Sequence, residues 1–252
     1  MTTNLPANYD ALLAETINIP LQDGSIISGY YARPLGSGPF PGVTVIFEAF
    51  GMMTHTKEMV RKFAASGYLA IAPDLYSREG PLDPTDMRAV MQRMGGISDT
   101  QAINDMEGTA QFLKQQPTSN GKVGAIGHCS GGRHSLLFAC NTQSLDAAVD
   151  CYGGRIITDE LTPAMPKAVI DMIPDLACPL LGLFGETDAN PTPDHIDQLA
   201  QVLASNNKQY EFKTYPDPVG HGFFCEYRPS YNQEAAIDGW ERIFTFFEKH
   251  LI

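Results

Sequence analysis

Cys129 lies at the centre of Gly127-His128-Cys129-Ser130-Gly131, the pattern G-x-Nu-x-G in which the middle residue is a nucleophile. The apolar run Val123-Gly124-Ala125-Ile126 precedes it, and a helical pattern over residues 132–140 follows, so the thiol falls on a strand-to-helix turn. So sharp a turn leaves little room for side chains beside it, which accounts for the glycines. It also thrusts the central side chain out at the carboxyl edge of the sheet, where open α/β folds place their ligands. The helix N-terminus behind it favours negative charge and therefore a thiolate, the form of cysteine that attacks carbonyl carbon. Ser130 is the competing nucleophile, but the glycine spacing centres on Cys129.

A thiol on such a turn needs a base and a group to orient it, and the expected chain order is nucleophile, acid, histidine. After the apolar run 180–185 comes Glu186-Thr187-Asp188, with Asp188 further into the loop as the expected acid and Glu186 in reserve. After the last predicted strand, His221 sits between Gly220 and Gly222 on a loop, where a base belongs. The other histidines fit less well: His128 is inside the turn, His134 is on the following helix, and His195 and His250 fall on helical surfaces. His55 begins an early helix, which it would cap or pack against. Glu48 follows directly after the run 44–47, where a carboxylate is costly to bury without a purpose.

The elements that must hold these residues are legible as short apolar runs. Strands are predicted at 44–47, 68–73, 122–127, 147–152, 180–185 and 210–215, several of them apolar throughout, as parallel strands covered on both faces should be. Helical patterns lie at 56–67, 100–116, 193–207 and 232–251. In the last, Ile237, Trp240, Ile243, Phe244 and Phe247 recur every three or four residues. Asp83-Pro84 reads as an N-cap and first helical residue, opening a helix through about Arg93. Near the start, Asp23-Gly24 between two strand-like segments signals a hairpin. Strand–helix alternation predicts one domain over residues 1–252, a doubly wound, mostly parallel sheet with helices on both faces and an antiparallel strand pair at its start.

The chain has 252 residues, of which 43% are hydrophobic, enough for a large core. Its net charge of −12 argues against nucleic acid or an anionic membrane as partner, because phosphates would be repelled over most of the surface. The first fifteen residues lack the basic and apolar segments of a signal peptide, and no apolar run approaches membrane-spanning length. The five cysteines are odd in number and lack CxxC spacing, which argues against a disulfide framework or a cysteine zinc site. These features predict a reduced, cytoplasmic location.

At this point the sequence resembles the dienelactone hydrolase family of α/β-hydrolases (carboxymethylenebutenolidase-like), from about Pro41 to the C-terminus. The pieces that carry the likeness include "VIFEAFGM", "GYLAIAPDLYSREG", "SNGKVGAIGHCSGG", "GETDAN" and "GHGFFCEYRPSYN". Cysteine at the turn together with Glu48 in "FEAFG" is the most specific pairing. The resemblance implies an α/β-hydrolase fold and a cysteine-dependent hydrolase of small-molecule esters or lactones, with no metal or organic cofactor. It assigns Cys129 as nucleophile, His221 as base and Asp188 as acid, and implies that Glu48 takes part in activating the thiol. The oxyanion of the tetrahedral intermediate would be met by the backbone N–H groups of Ser130 and Ala49.

The family binds a substrate carboxylate with two arginines, and here the chain departs from it. Val90 and Cys225 occupy those positions, with Arg93 and Arg228 three residues further on as candidate substitutes. Met52, Met53, Met87, Met91 and Met94 fall on the same two segments and suggest an apolar wall, so neutral or weakly polar esters and lactones are the expected substrates. Two other readings remain open at this stage: a serine-type esterase or peptidase, and a scaffold that binds a ligand without catalysis.

Overall fold

The computed structural model describes residues 11–80 and 83–252, so the expectation about a leader at the extreme N-terminus lies outside the described residues. The chain opens with β1 (Leu12–Pro20) and β2 (Ile26–Pro34), paired antiparallel with Leu12 opposite Pro34 and Pro20 opposite Ile26. Asp23 makes the turn between them, its carboxylate accepting from the Ser25 N–H at 2.9 Å and the Ser25 hydroxyl at 2.7 Å. There follow β3 (Phe40–Ile46), α1 (Thr54–Ala65), β4 (Leu69–Pro73), α2 (Met87–Gly96), α3 (Asp99–Lys114) and β5 (Ser119–His128). The second half comprises α4 (Ser130–Asn141), β6 (Ala147–Cys151), a 3₁₀ turn (Val169–Asp175), β7 (Leu180–Gly185), α5 (Pro193–Ser205), β8 (Tyr210–Tyr215) and α6 (Gln233–Leu251).

The eight strands form one sheet in the order β1-β2-β4-β3-β5-β6-β7-β8, parallel from β4 through to β8. Every residue of β3, β4, β6 and β7 is buried, which is why these strands read as largely apolar runs rather than as alternations, with Thr44 of β3 and Asp150 of β6 as the polar exceptions. Two apolar layers cover the sheet. On one face Met106 and Leu113 of α3, Leu136 and Leu137 of α4, and Leu199 and Leu203 of α5 pack together. On the other, Met59, Val60 and Phe63 of α1 meet Ile243, Phe246 and Phe247 of α6. The Arg133 guanidinium and the Asp99 carboxylate, both buried, join α4 to α3 through paired hydrogen bonds of 2.7 and 3.0 Å.

Two local expectations are corrected. The helix read from Asp83 begins at Met87, with Asp86 as its N-cap accepting from the Ala89 N–H; Asp83 instead folds a turn, accepting from the Thr85 N–H and hydroxyl. Both are Asx motifs, and only the hydrogen bond to the third residue starts a helix. In α6, Ile237 is 53% exposed and Phe246 takes a core position, because the apolar stripe is shifted about one residue around the helix. Among the described residues no helix is long and apolar enough to cross a membrane.

Candidate active site

The sharp turn after β5 places Cys129 at φ 57° and ψ −121°, a left-handed conformation that a residue with a Cβ adopts only when its surroundings impose it. Contact between backbones imposes it here. A Cβ on Gly127 would lie 1.8 Å from the Gly131 carbonyl oxygen, and one on Gly131 would lie 2.3 Å from the Ile46 carbonyl oxygen. The Cys129 N–H donates to the Cys151 carbonyl at 3.0 Å and its own carbonyl accepts from Gly132 at 3.0 Å, so the turn is fastened to β6 and to α4. The thiol is left half-buried above the carboxyl edge of the sheet.

His221 reaches this thiol from the loop after β8. Its Nδ1 lies 2.8 Å from Asp188 Oδ2, and the imidazole also interacts with Cys129. Burial works against the charged imidazole, but the hydrogen bond to Asp188, the interaction with Cys129 and their negative charge outweigh it, pushing His221 up to about 10. Asp188 is 6% exposed, and its second oxygen accepts from the Asn190 N–H at 2.8 Å. The reserve acid Glu186 is exposed and accepts from the Asp217 N–H at 3.0 Å, holding the loop rather than the imidazole. The Tyr152 ring, itself at φ 45°, packs edge-on to His221 at 5.0 Å and limits its swing.

The loop after β3 supplies the opposite wall. Glu48 is 5% exposed; its Oε2 is paired with Arg228, and its Oε1 is buried without a partner among the described residues. Burial pushes its carboxyl above the usual range, with the Arg228 charge opposing. The Glu48 carbonyl accepts from the Gly51 N–H at 3.0 Å, which turns the Ala49 N–H of the same peptide the other way. Tyr76 fixes the next peptide by donating from its hydroxyl to the Ala49 carbonyl at 3.1 Å. Ala49, Ser130, Cys129 and His221 all line one cavity of about 470 Å³. Its far wall carries Met87, Met91, Met94, Ile97 and Met165. A second cavity of about 510 Å³ lies beyond Phe50 and Arg228, which line both; the guanidinium stacks 4.7 Å above the Phe50 ring. Among the described residues no group of three or more His, Cys, Asp or Glu side chains is placed to hold a metal ion.

The profile of the dienelactone hydrolase family matches residues 27–251, from β2 to the end of α6. The chain belongs to the dienelactone hydrolase family. A protein of Methylorubrum extorquens provisionally named a carboxymethylenebutenolidase is 34% identical over 251 residues, 98% of this chain and 85% of the relative. A protein of Escherichia coli K12 with the same provisional name is 36% identical, covering 96% of this chain and 89% of the other. The crystal structure of a provisionally assigned dienelactone hydrolase from Klebsiella pneumoniae superposes with a TM-score of 0.87 at 35% identity, over 94% of this chain and 99% of that one. As a member of the dienelactone hydrolase family the protein is an ester or lactone hydrolase with an α/β-hydrolase fold.

Against that family background, the structure brings Cys129, His221, Asp188, Ser130, Ala49 and Arg228 to one cavity. Glu48 lines the neighbouring cavity and meets the first through Arg228. Arg93 does not join them. Its guanidinium donates to the carbonyls of Gly80 at 2.7 Å and Glu79 at 3.2 Å, bracing the segment before α2, so it is corrected from a substrate-binding to a structural position. Helical spacing put Arg93 on the side of Val90, but Val90 is buried, whereas the Arg93 guanidinium is held over the Tyr76 ring by the Glu79 and Gly80 carbonyls. Of the five methionines expected at the wall, three line the catalytic cavity, whereas Met53 lines the second one. Met165, Arg155 and Asn190 also line the catalytic cavity and were not anticipated, because they stand on irregular segments without periodicity.

Proposed function

We propose that the enzyme cleaves small neutral esters or lactones by nucleophilic catalysis through Cys129, with His221 and Asp188 completing the triad. The observation that carries this reading is the line of interactions from Asp188 through His221 to Cys129, along the wall of a half-open, mostly apolar cavity. The Cys129 thiolate attacks the carbonyl carbon, and the carbonyl π electrons move to oxygen as a carbon–sulfur bond forms. The Ser130 and Ala49 N–H groups receive the oxyanion. Collapse breaks the bond to the alkoxide, which takes its proton from the His221 imidazolium. Water then attacks the thioester, giving a proton to His221, and thiolate departs to leave the acid. Asp188 holds the imidazole in the tautomer that presents Nε2 to these protons. By family resemblance Glu48, buried and with its carboxyl held above the usual range, would share in deprotonating the thiol once its pairing with Arg228 loosens.

Turnover of p-nitrophenyl acetate with and without prior treatment with iodoacetamide tests the nucleophile. We expect turnover that alkylation abolishes. Turnover indifferent to alkylation would point to a serine-type enzyme, and none under any condition to a non-catalytic scaffold.

The apolar wall gives the substrate preference. An anionic substrate would have to leave water for a mostly apolar cavity whose guanidiniums are all paired, Arg228 with Glu48, Arg133 with Asp99 and Arg155 with Glu160, and that desolvation is offset only if one of these pairs loosens. The ratio of kcat/KM for a neutral lactone to that for a carboxylated one should be at least about tenfold, equivalent to ~1.4 kcal/mol. Arg93→Ala should leave the ratio unchanged. A preference for the carboxylated substrate that collapses in Arg228→Ala would overturn the expectation.

A further inference from the structure

Behind the catalytic cavity, β6 carries a carboxyl group that the proposed reaction does not use. Asp150 is completely buried. Its sheet neighbours are Gly127 on β5 and Gly182 on β7, and a Cβ on Gly132 in α4 or on Gly153 would lie 2.3 and 2.5 Å from its Oδ1. The carboxyl thus occupies a cradle of glycines. Oδ1 accepts from the Gly153 N–H at 2.7 Å, while Oδ2 has no partner among the described residues. Burial pushes the carboxyl up to about 7, with the Gly153 N–H and the charge of His221 opposing the rise. An acid in so dry a place costs stability unless its acceptor serves something.

What it holds is the turn 152–155. Tyr152 and Arg155 within this turn both have left-handed backbones, φ 45° and 59°, although neither is glycine. The turn lies in backbone contact with the first turn of α4: a Cβ on Gly153 would sit 2.6 Å from the Arg133 nitrogen. Two such conformations persist only where neighbouring contacts over-determine them. From the turn the contacts run onward. The Arg155 N–H donates to Asn190 Oδ1 at 3.1 Å, the Asn190 N–H donates to Asp188 Oδ1 at 2.8 Å, and Asp188 Oδ2 meets His221 at 2.8 Å. At the same time the Tyr152 ring bears on the imidazole from the side.

We propose that Asp150 is a positioning residue for the Asp188–His221 pair, acting as the buried acceptor that holds the 152–155 turn against Asn190. It touches neither substrate nor thiol. Its effect passes by two routes, through Asn190 to the acid and through Tyr152 to the imidazole. The inference rests on the reading that this pair serves Cys129, and its test is chosen to be independent of that reading.

The experiment compares Asp150→Ala, Asp150→Asn and Asn190→Ala with the parent, by steady-state kinetics and by the downfield Nδ1 proton resonance of His221 in histidine-labelled protein. Asp150→Ala should lower kcat by about 10²-fold with little change in KM, as misplacement of a catalytic group by about an ångström does, and should broaden or shift the resonance upfield. Asp150→Asn keeps an oxygen acceptor for Gly153 and should restore both kcat and the resonance. A purely structural acid would show neither the selective loss in kcat nor the rescue. Asn190 is exposed, so Asn190→Ala cuts the same chain without threatening the core. It should shift the resonance in the same direction, and it decides the matter if Asp150→Ala fails to fold. A folded Asp150→Ala with the parent's kcat and resonance would overturn the proposal, as would an Asp150→Asn as damaged as Asp150→Ala. If the parent hydrolyses no ester at all, the proposed reaction fails, while the resonance still reports whether Asp150 positions the pair.

Discussion

Cys129→Ala should be inert toward esters, with kcat reduced by about 10⁴-fold or more, yet unfold at nearly the same denaturant concentration as the parent. The expectation follows from the geometry of the turn. The left-handed backbone at residue 129 is imposed by Gly127, Gly131 and the hydrogen bond to Cys151, none of which involves the sulfur. Alanine carries the same Cβ and meets the same strain, so the cost of the turn is unchanged. What disappears is the sulfur proposed to carry the acyl intermediate. Cys129→Ser should keep little activity, because a hydroxyl needs far more help from its base than a thiol does. Mass spectrometry after a rapid quench should find an acyl adduct on the parent and none on Cys129→Ala. Parent-like turnover by Cys129→Ala would end the assignment of the nucleophile.

The residues on regular elements, and those on the loops directly after them, were legible from the sequence. Each fully buried strand is a mostly apolar run, and the spacing of Gly127 and Gly131 around Cys129 reports the backbone collision of a strand-to-helix turn. Asp188 and His221 could be placed because each follows a strand whose end was readable. Asp188 rather than Glu186 meets the imidazole because the chain turns back at Asp188, whose N–H donates to the Gly185 carbonyl. The contributions of Arg155, Asn190 and Asp150 were not legible. They depend on contacts between segments distant in sequence and on backbone angles that no local pattern encodes at a non-glycine residue. Arg93 shows the converse error: helical spacing gives the side of a helix, but the carbonyls of Glu79 and Gly80 decide where the guanidinium goes.

His221→Ala should lose several orders of magnitude in kcat, and Asp188→Asn should lose about 10⁴-fold if the acid acts chiefly by fixing the tautomer. An asparagine at 188 can still meet Nδ1, but it can do so as a donor, which turns the remaining proton of a neutral imidazole onto Nε2, away from its role as acceptor. Glu186→Gln serves as the control, since the Glu186 carboxylate bonds a backbone N–H on the exposed side of the loop and an amide oxygen replaces it there. If Glu186→Gln proved the more damaging change, the acid would be misassigned. The pair also makes a prediction about stability and pH. His221 is raised in the folded protein to about 10 from an ordinary value of 6.5, so its protonation stabilises the fold fully below about pH 6.5 and loses that effect as pH rises through about 10. Because the hydrogen bond and charge of Asp188 are among the causes of the rise, Asp188→Asn should flatten the decline in thermal stability between pH 7 and 10 while lowering stability at neutral pH. Melting curves recorded across that range provide the check. A decline in Asp188→Asn as steep as the parent's would mean that the imidazolium draws its stability from Cys129 alone.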